Sequence, residues 1–209
     1  MLRCFALIAY SIEGSLYLNI TNRCTNRCCF CVRNYAPGVA GYNLWLEKEP
    51  TAEEVIEAIG DPSPYREVVF CGYGEPLIRL DVVKEVSSWL KEKGAWVRVN
   101  TNGLANLYHG RNVLPELRGL VDAVSISLNA ENAQKYYRIC RPQFGAESYE
   151  YLLEFIRESK KYIPRVKITV VDIPQIDVKE CRRIAEELGV YFEVRTYGGK
   201  KKDLEQCGC

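Results

Sequence analysis

Short runs rich in valine, isoleucine and tyrosine alternate along this chain with longer segments of helical period, and that alternation narrows the fold more than any other feature. It is the pattern of βα units feeding a parallel sheet rather than a sandwich. The spacing predicts strands at 16–20, 67–71, 96–100, 123–128, 166–171 and 191–195. Thr51-Ala52-Glu53-Glu54 reads as a capping box opening a helix that stops at Gly60, and a second helix over 81–93 ends before Gly94. Two more are expected at 147–161, ahead of Pro164, and at 177–188, where Glu180 follows the Asp177 cap by three residues and Gly189 lies just past the end. Weaker helices fill 105–118 and 131–138. Right-handed crossovers put the carboxyl ends of all six strands on one side, where parallel α/β folds bind ligands.

With 209 residues, 47% of them hydrophobic and 26% charged, the chain can build one real core, which excludes a disordered polymer and a disulfide-stapled miniprotein. Its 28 basic and 27 acidic residues leave a formal charge of +1, so counterion release has no global source and a nucleic-acid binder is disfavoured. The first ten residues are too short an apolar run to span a bilayer and lack a small-residue cleavage site, so the expected location is cytoplasmic, with no membrane partner. No linker or repeat divides the chain. Residues 198–209 read as a polar, mobile, cysteine-containing tail after a core domain spanning 1–197.

Ten cysteines without an export signal point to metal or thiol chemistry rather than disulfides. Three of them form Cys24-x3-Cys28-x2-Cys31, directly after the first predicted strand. Soft thiolates favour iron–sulfur clusters or zinc, and either metal takes four ligands, so a three-cysteine loop leaves one position to be filled from elsewhere. A structural zinc completed by Cys29 or a tail cysteine, and plain burial of the thiols, are the competing readings; with His109 as the single histidine, a His-rich zinc site is excluded.

Other polar segments fall at predicted strand ends. Phe70-Cys71-Gly72-Tyr73-Gly74-Glu75-Pro76 offers a Gly-x-Gly-Glu turn, which lets main chain approach a small zwitterion closely. Asn100-Thr101-Asn102-Gly103 follows the third strand, and period two points Ser125, Ser127 and Asn129 to one side of the fourth, a poor core but a reasonable polar lining. Arg141 follows in Tyr137-Arg138-Ile139-Cys140-Arg141-Pro142, with a fork suited to a carboxylate.

The cysteine spacing, with an aromatic Phe30 before its last member, resembles the radical S-adenosylmethionine (SAM) superfamily, and the strand-end segments resemble that superfamily's Gly-Gly-Glu-Pro, Thr-Asn-Gly and ribose motifs. At subfamily level the chain looks like the TatD-associated radical SAM proteins. The resemblance implies a single-domain partial (β/α)6 barrel with parallel strands. It implies a [4Fe-4S] cluster on Cys24, Cys28 and Cys31, with SAM chelating the fourth iron. Phe30 then lies against adenine, Gly72, Gly74 and Glu75 meet the methionine amino group, and Thr101, Asn102, Ser125, Ser127, Asn129 and Arg141 serve the rest of SAM.

The implied reaction is reductive cleavage of SAM to methionine and a 5'-deoxyadenosyl radical that takes hydrogen from an unidentified substrate, small molecule or macromolecule. An external one-electron donor of flavodoxin or ferredoxin type and a functional link to a TatD-type hydrolase are the implied partners. The alternatives are an activase or modifier of a protein or peptide, a non-enzymatic iron–sulfur electron carrier, and a zinc-stabilised nucleic-acid binder. Cys71 and Cys140 adjoin the cofactor segments, where burial is the default and hydrogen-atom donation to a substrate radical the alternative. Cys207 and Cys209 would hold a second cluster or lie incidentally on the tail, and Tyr42 with Trp45 would cover the cluster or simply pack.

Overall fold

A computed structural model describes residues 7–36, 38–200 and 204. Seven strands form one sheet in chain order: β1 (Ala9–Ile12), β2 (Ser15–Leu18), β3 (Glu67–Phe70), β4 (Val97–Thr101), β5 (Ala123–Ser127), β6 (Arg165–Asp172) and β7 (Tyr191–Thr196). β1 is antiparallel to β2, and every later pairing is parallel. Among the described residues β1 and β7 do not pair, so the sheet curls into a partial barrel with an open side. The six parallel strands match those expected. β1 is the addition, joined to β2 through Glu13 and Gly14, both at positive φ (47° and 77°), the two-residue turn whose twist suits a hairpin.

The helices are α1 (Ala52–Ile59), α2 (Leu80–Glu92), α3 (Ala105–His109), α4 (Ala133–Cys140), α5 (Ser148–Ser159) and α6 (Val178–Leu188). Thr51 and Glu54 make the reciprocal capping box, and the Asn132 and Asp177 side chains accept from Lys135 and Glu180 N–H. The helix expected over 105–118 is broken: Gly110, at φ 64°, ends α3, and Pro115 sits in a separate 3-10 turn, Leu114–Leu117.

The sheet has two unlike faces. Val68, Phe70, Val97, Val99, Val124, Ile126 and Ile168 are fully buried on one, in the same core as the helices. Each such side chain contributes about 1.5–3 kcal/mol. The face turned into the barrel is polar: Arg98 holds Glu67 through two nitrogens (2.9 and 2.8 Å) and reaches Asn100 Oδ1 (2.6 Å), while Lys167 pairs with Glu193. Leu204 joins the core at 4% exposure. Cys207 and Cys209 lie outside the described residues. Among those described, no helix is long and apolar enough to cross a membrane.

Candidate active site

β2 ends at Leu18 and the chain turns at once into the cysteine loop. Asn19, fully buried, anchors this exit: its Nδ2 donates to the Leu44 (2.6 Å) and Leu7 (3.2 Å) carbonyls, and its Oδ1 accepts Tyr73 N–H (3.3 Å). Glu49 staples the next turn, accepting from the Thr21 hydroxyl, from Arg23 (2.7 and 2.9 Å) and from Arg79 (3.3 Å). Asn26 Nδ2 donates to Tyr136 Oη (3.0 Å), and Asn34 Nδ2 holds the Cys28 and Cys29 carbonyls (3.1 and 2.9 Å). Bonded at this density, the loop presents its sulfurs from a fixed frame.

Cys24, Cys28, Phe30 and Cys31 border one cavity of about 300 Å³ at the carboxyl ends of the strands. Gly72, Gly74 and Glu75 border it after β3, Thr101 and Asn102 at the end of β4, and Ser127 and Asn129 at the end of β5. Cys29 instead turns into the core, at 1% exposure. Among the described residues no three His, Cys, Asp or Glu side chains gather around a single ion. A cubane instead spreads three cysteines over three iron corners, the donor set that this loop offers beside an open cavity.

Glu75 is the best-held polar group here. It is 4% exposed and accepts from Thr101 Oγ1 (2.8 Å), Asn102 N–H (2.6 Å) and Leu77 N–H (3.1 Å). Burial outweighs these donors and lifts its carboxyl to about 7. Burial, and next the Glu75 charge, push the Cys24 thiol up to about 12. Asn102 is spent on the cysteine loop: its Nδ2 reaches Thr25 Oγ1 (2.7 Å) and Cys24 Sγ (3.7 Å).

The two glycines have a more structural reason than close approach to a ligand. A Cβ on Gly72 would stand 2.0 Å from Asn19 Oδ1, and one on Gly74 would stand 2.4 Å from Thr21 O and 2.5 Å from Arg23 O. Both face the cysteine loop, so their lack of side chains lets the β3 turn and that loop close together.

Two expected residues are not brought into the lining. Ser125 shares its face with Ser127 but lies one pleat repeat deeper, and it borders a different cavity toward the amino ends of the strands with Glu67, Arg98 and Lys167. Arg141 is exposed, at φ 47°, behind the cysteine loop, where its carbonyl accepts Arg27 N–H (3.3 Å). Conversely, Tyr35 and Tyr197 border the cavity, their rings 4.9 Å apart edge to face, and Arg195 reaches Ser127 Oγ (3.2 Å) beside them. The two tyrosines, on distant segments, carry no local signal of such a meeting, whereas Arg195, at the carboxyl end of a predicted strand, lies where ligand-facing residues are expected. Cys71 lines the cavity and Cys140 does not. Trp45 packs on Tyr73 (5.2 Å) with Arg33 over its ring, rather than bordering the cavity.

A model of the radical SAM superfamily matches residues 18–188, from the end of β2 to the end of α6. The chain belongs to the radical SAM superfamily. Membership gives it a [4Fe-4S] cluster and SAM as its cofactors. Among curated relatives, the tungsten-containing aldehyde ferredoxin oxidoreductase cofactor-modifying protein of Pyrococcus furiosus is 29% identical over 182 residues, 83% of this chain and 47% of that protein. The probable GTP 3',8-cyclase of Methanocaldococcus jannaschii is 24% identical over 202 residues, 91% of this chain and 61% of that protein. The chain thus spans roughly half to three fifths of these relatives' length. Streptococcus suis SuiB, solved with its precursor peptide SuiA, shares the fold at a TM-score of 0.69 and 15% identity, over 91% of this chain and 40% of SuiB.

Proposed function

We propose that Cys24, Cys28 and Cys31 of this radical SAM enzyme hold three irons of the cluster, leaving the fourth corner to SAM. The observation that carries this reading is the meeting of the three cysteines with the β3, β4 and β5 end segments around one cavity. When bound and reduced, the cluster supplies the electron that cleaves SAM to methionine and a 5'-deoxyadenosyl radical able to take hydrogen from an unactivated C–H bond.

The chain's own residues bind, orient and exclude. Glu75, pinned by its three donors, is set to receive the methionine ammonium, with Gly72 and Gly74 supplying main chain beside it. Ser127 and Asn129 face the cavity as ribose and carboxylate partners, and Phe30, 6% exposed, offers its face to adenine. Tyr35 and Tyr197 narrow the cavity mouth against water.

The electron comes from an external flavodoxin- or ferredoxin-type donor. Within the superfamily we place the chain with the TatD-associated proteins on the strength of its 19–33, 41–47, 70–76, 100–111 and 125–142 segments, which carries with it a functional link to a TatD-type hydrolase. Anaerobic incubation of reconstituted protein with dithionite and SAM is expected to yield 5'-deoxyadenosine. Its absence, even with lysate supplied, contradicts the assignment, and absence of SAM binding in calorimetry returns the chain to an electron carrier.

A second reading, an activase or modifier of a protein or peptide, is favoured by the open barrel edge. β7 ends at the cavity with Arg195 and Thr196, and most of the strand is exposed, Tyr191 at 69%. An extended chain fits such an edge by strand addition. Capture of one partner from native extract, followed by SAM-dependent modification of it, supports this reading; turnover of a small molecule alone removes it.

A further inference from the structure

The charges of this chain are unevenly placed. Residues 14–46 and 132–146 carry six basic side chains, Arg23, Arg27, Arg33, Lys135, Arg138 and Arg141, and no acidic one, in a chain whose formal charge is +1. The fold brings the two stretches together behind the cysteine loop. Arg27 and Cys29 N–H donate to the Cys140 (3.0 Å) and Ile139 (2.9 Å) carbonyls, and Gln143 N–H donates to Thr25 O (2.9 Å).

Three of the six cations are engaged elsewhere. Arg23 pairs with Glu49 (2.7 Å), Lys135 pairs with Glu131, and Arg33 donates to the Asn22 carbonyl (2.9 Å). Arg27 and Arg138 are exposed and have no acidic partner among the described residues. Arg141, also exposed, follows Arg138 by three residues, and its carbonyl accepts Arg27 N–H (3.3 Å). Tyr137, 51% exposed, stands beside Arg138 on the outer face of α4. A cation in the last turn answers the helix dipole, which accounts for Arg138 but not for Arg27 on the loop. Arginines around an exposed tyrosine, without acids, have the composition of a protein interface rather than of plain solvated surface.

Arg27 directly precedes Cys28, so a partner seated on it stands about 4 Å of main chain from a cluster ligand. The opposite side of the cysteines opens on the cavity assigned to SAM, from which water is to be kept out. We propose that Arg27, Tyr137, Arg138 and Arg141 form the docking surface for an acidic one-electron carrier protein, which reduces the cluster from behind the cysteine loop. This rests on the cluster assignment above. One electron leaves the reduced carrier and enters the oxidised cluster; no bond forms or breaks and no proton moves. The carrier is acidic because a cationic surface free of acids steers and holds its opposite. A nucleic acid fits less well, since only three arginines gather here and the chain as a whole is near neutral.

The test measures, by anaerobic stopped-flow absorbance, how fast a reduced flavodoxin of net negative charge reduces the cluster of reconstituted full-length protein. At low ionic strength Arg27→Glu/Arg138→Glu is expected to lower the bimolecular rate constant about tenfold or more. The gap is expected to close at about 1 M salt, where the Debye length falls to about 3 Å. Arg27→Gln/Arg138→Gln is expected to fall between that variant and the wild type, and it keeps the test decisive where charge reversal lowers iron loading. Dithionite, which needs no docking, should give the same EPR amplitude per iron in every variant. Lys93→Glu/Lys160→Glu makes the same charge change at exposed helix ends near the amino ends of the strands and keeps the wild-type rate. An unchanged rate in both arginine pairs, or an equal loss in the lysine pair, overturns the docking surface alone. So does a single-stranded RNA whose binding is lost in the arginine variants while the flavodoxin rate holds. A wild-type chain that loads no cubane overturns the cluster assignment itself.

Discussion

Replacing Gly74 by alanine places a methyl carbon 2.4 Å from the Thr21 carbonyl oxygen and 2.5 Å from that of Arg23. Both are main-chain atoms, so no rotamer change relieves the clash, and the cysteine loop must retreat by about 1 Å to reach ordinary contact. That retreat strains or breaks the Glu75 N–H bond to Arg23 O, now 2.8 Å. Overpacking of this kind costs about 1–3 kcal/mol, and the hydrogen bond adds about 1 kcal/mol. At about 2–4 °C per kcal/mol for a chain of this size, Tm falls by roughly 5–15 °C. The loop that moves carries the cysteines, so iron per chain falls with it. Circular dichroism melting and iron analysis read the two effects. Gly94→Ala is the contrasting case: Gly94 sits at φ 73°, where Gly74 has no positive φ, and has open space around its missing Cβ, so it bears only the left-handed backbone cost of about 1 kcal/mol and no clash. Full iron and an unshifted Tm in Gly74→Ala, or an equal drop in Gly94→Ala, refutes close packing of the two loops as the reason for this glycine.

Arg98→Met leaves Glu67, 18% exposed, without its cation and is expected to cost about 3 kcal/mol in urea unfolding at neutral pH. The Arg98 hydrogen bonds hold the Glu67 carboxyl below its ordinary value of 4.5, so the pair's contribution is complete above that pH and fades as pH falls through the depressed folded value. The wild type should therefore lose more stability than Arg98→Met between neutral and strongly acid pH; parallel pH profiles contradict the pairing. Asn19→Ala removes three hydrogen bonds, two of them buried, and strands the Leu44 carbonyl, for about 3 kcal/mol in the same assay, and a loss below about 1 kcal/mol would show that the anchor is dispensable. Thr51→Ala should cost about 1 kcal/mol through the lost cap, with iron content and 5'-deoxyadenosine yield unchanged; a fall in either would tie α1 to the site.

The parts of the fold legible in the sequence were those whose signals are local. Glu67–Phe70 and Arg165–Asp172 are β-branched runs bounded by turn residues, and Thr51, Asp177 and Gly189 mark helix ends by their own chemistry. β1 escaped because Ala-Tyr-Ser-Ile is short and its turn is Glu-Gly, not the Asn-Gly or Asp-Gly that announces a hairpin. In the site, the cysteine triplet and Gly-Tyr-Gly-Glu were readable because their spacing is contiguous. Period two put Ser125 on the right face and said nothing of depth, which depends on where the strand ends relative to the cavity. Asn19, Tyr35 and Tyr197 matter through partners tens of residues away or more, and only the folded sheet brings those together.

The most direct measurement is Mössbauer spectroscopy of protein reconstituted with 57Fe, recorded with and without SAM. Three iron sites should stay as they are, and the one not held by Cys24, Cys28 or Cys31 should change its isomer shift when the amino and carboxylate groups of SAM coordinate it. Four irons that ignore SAM, each already held by a protein ligand, would contradict an open corner in this cluster.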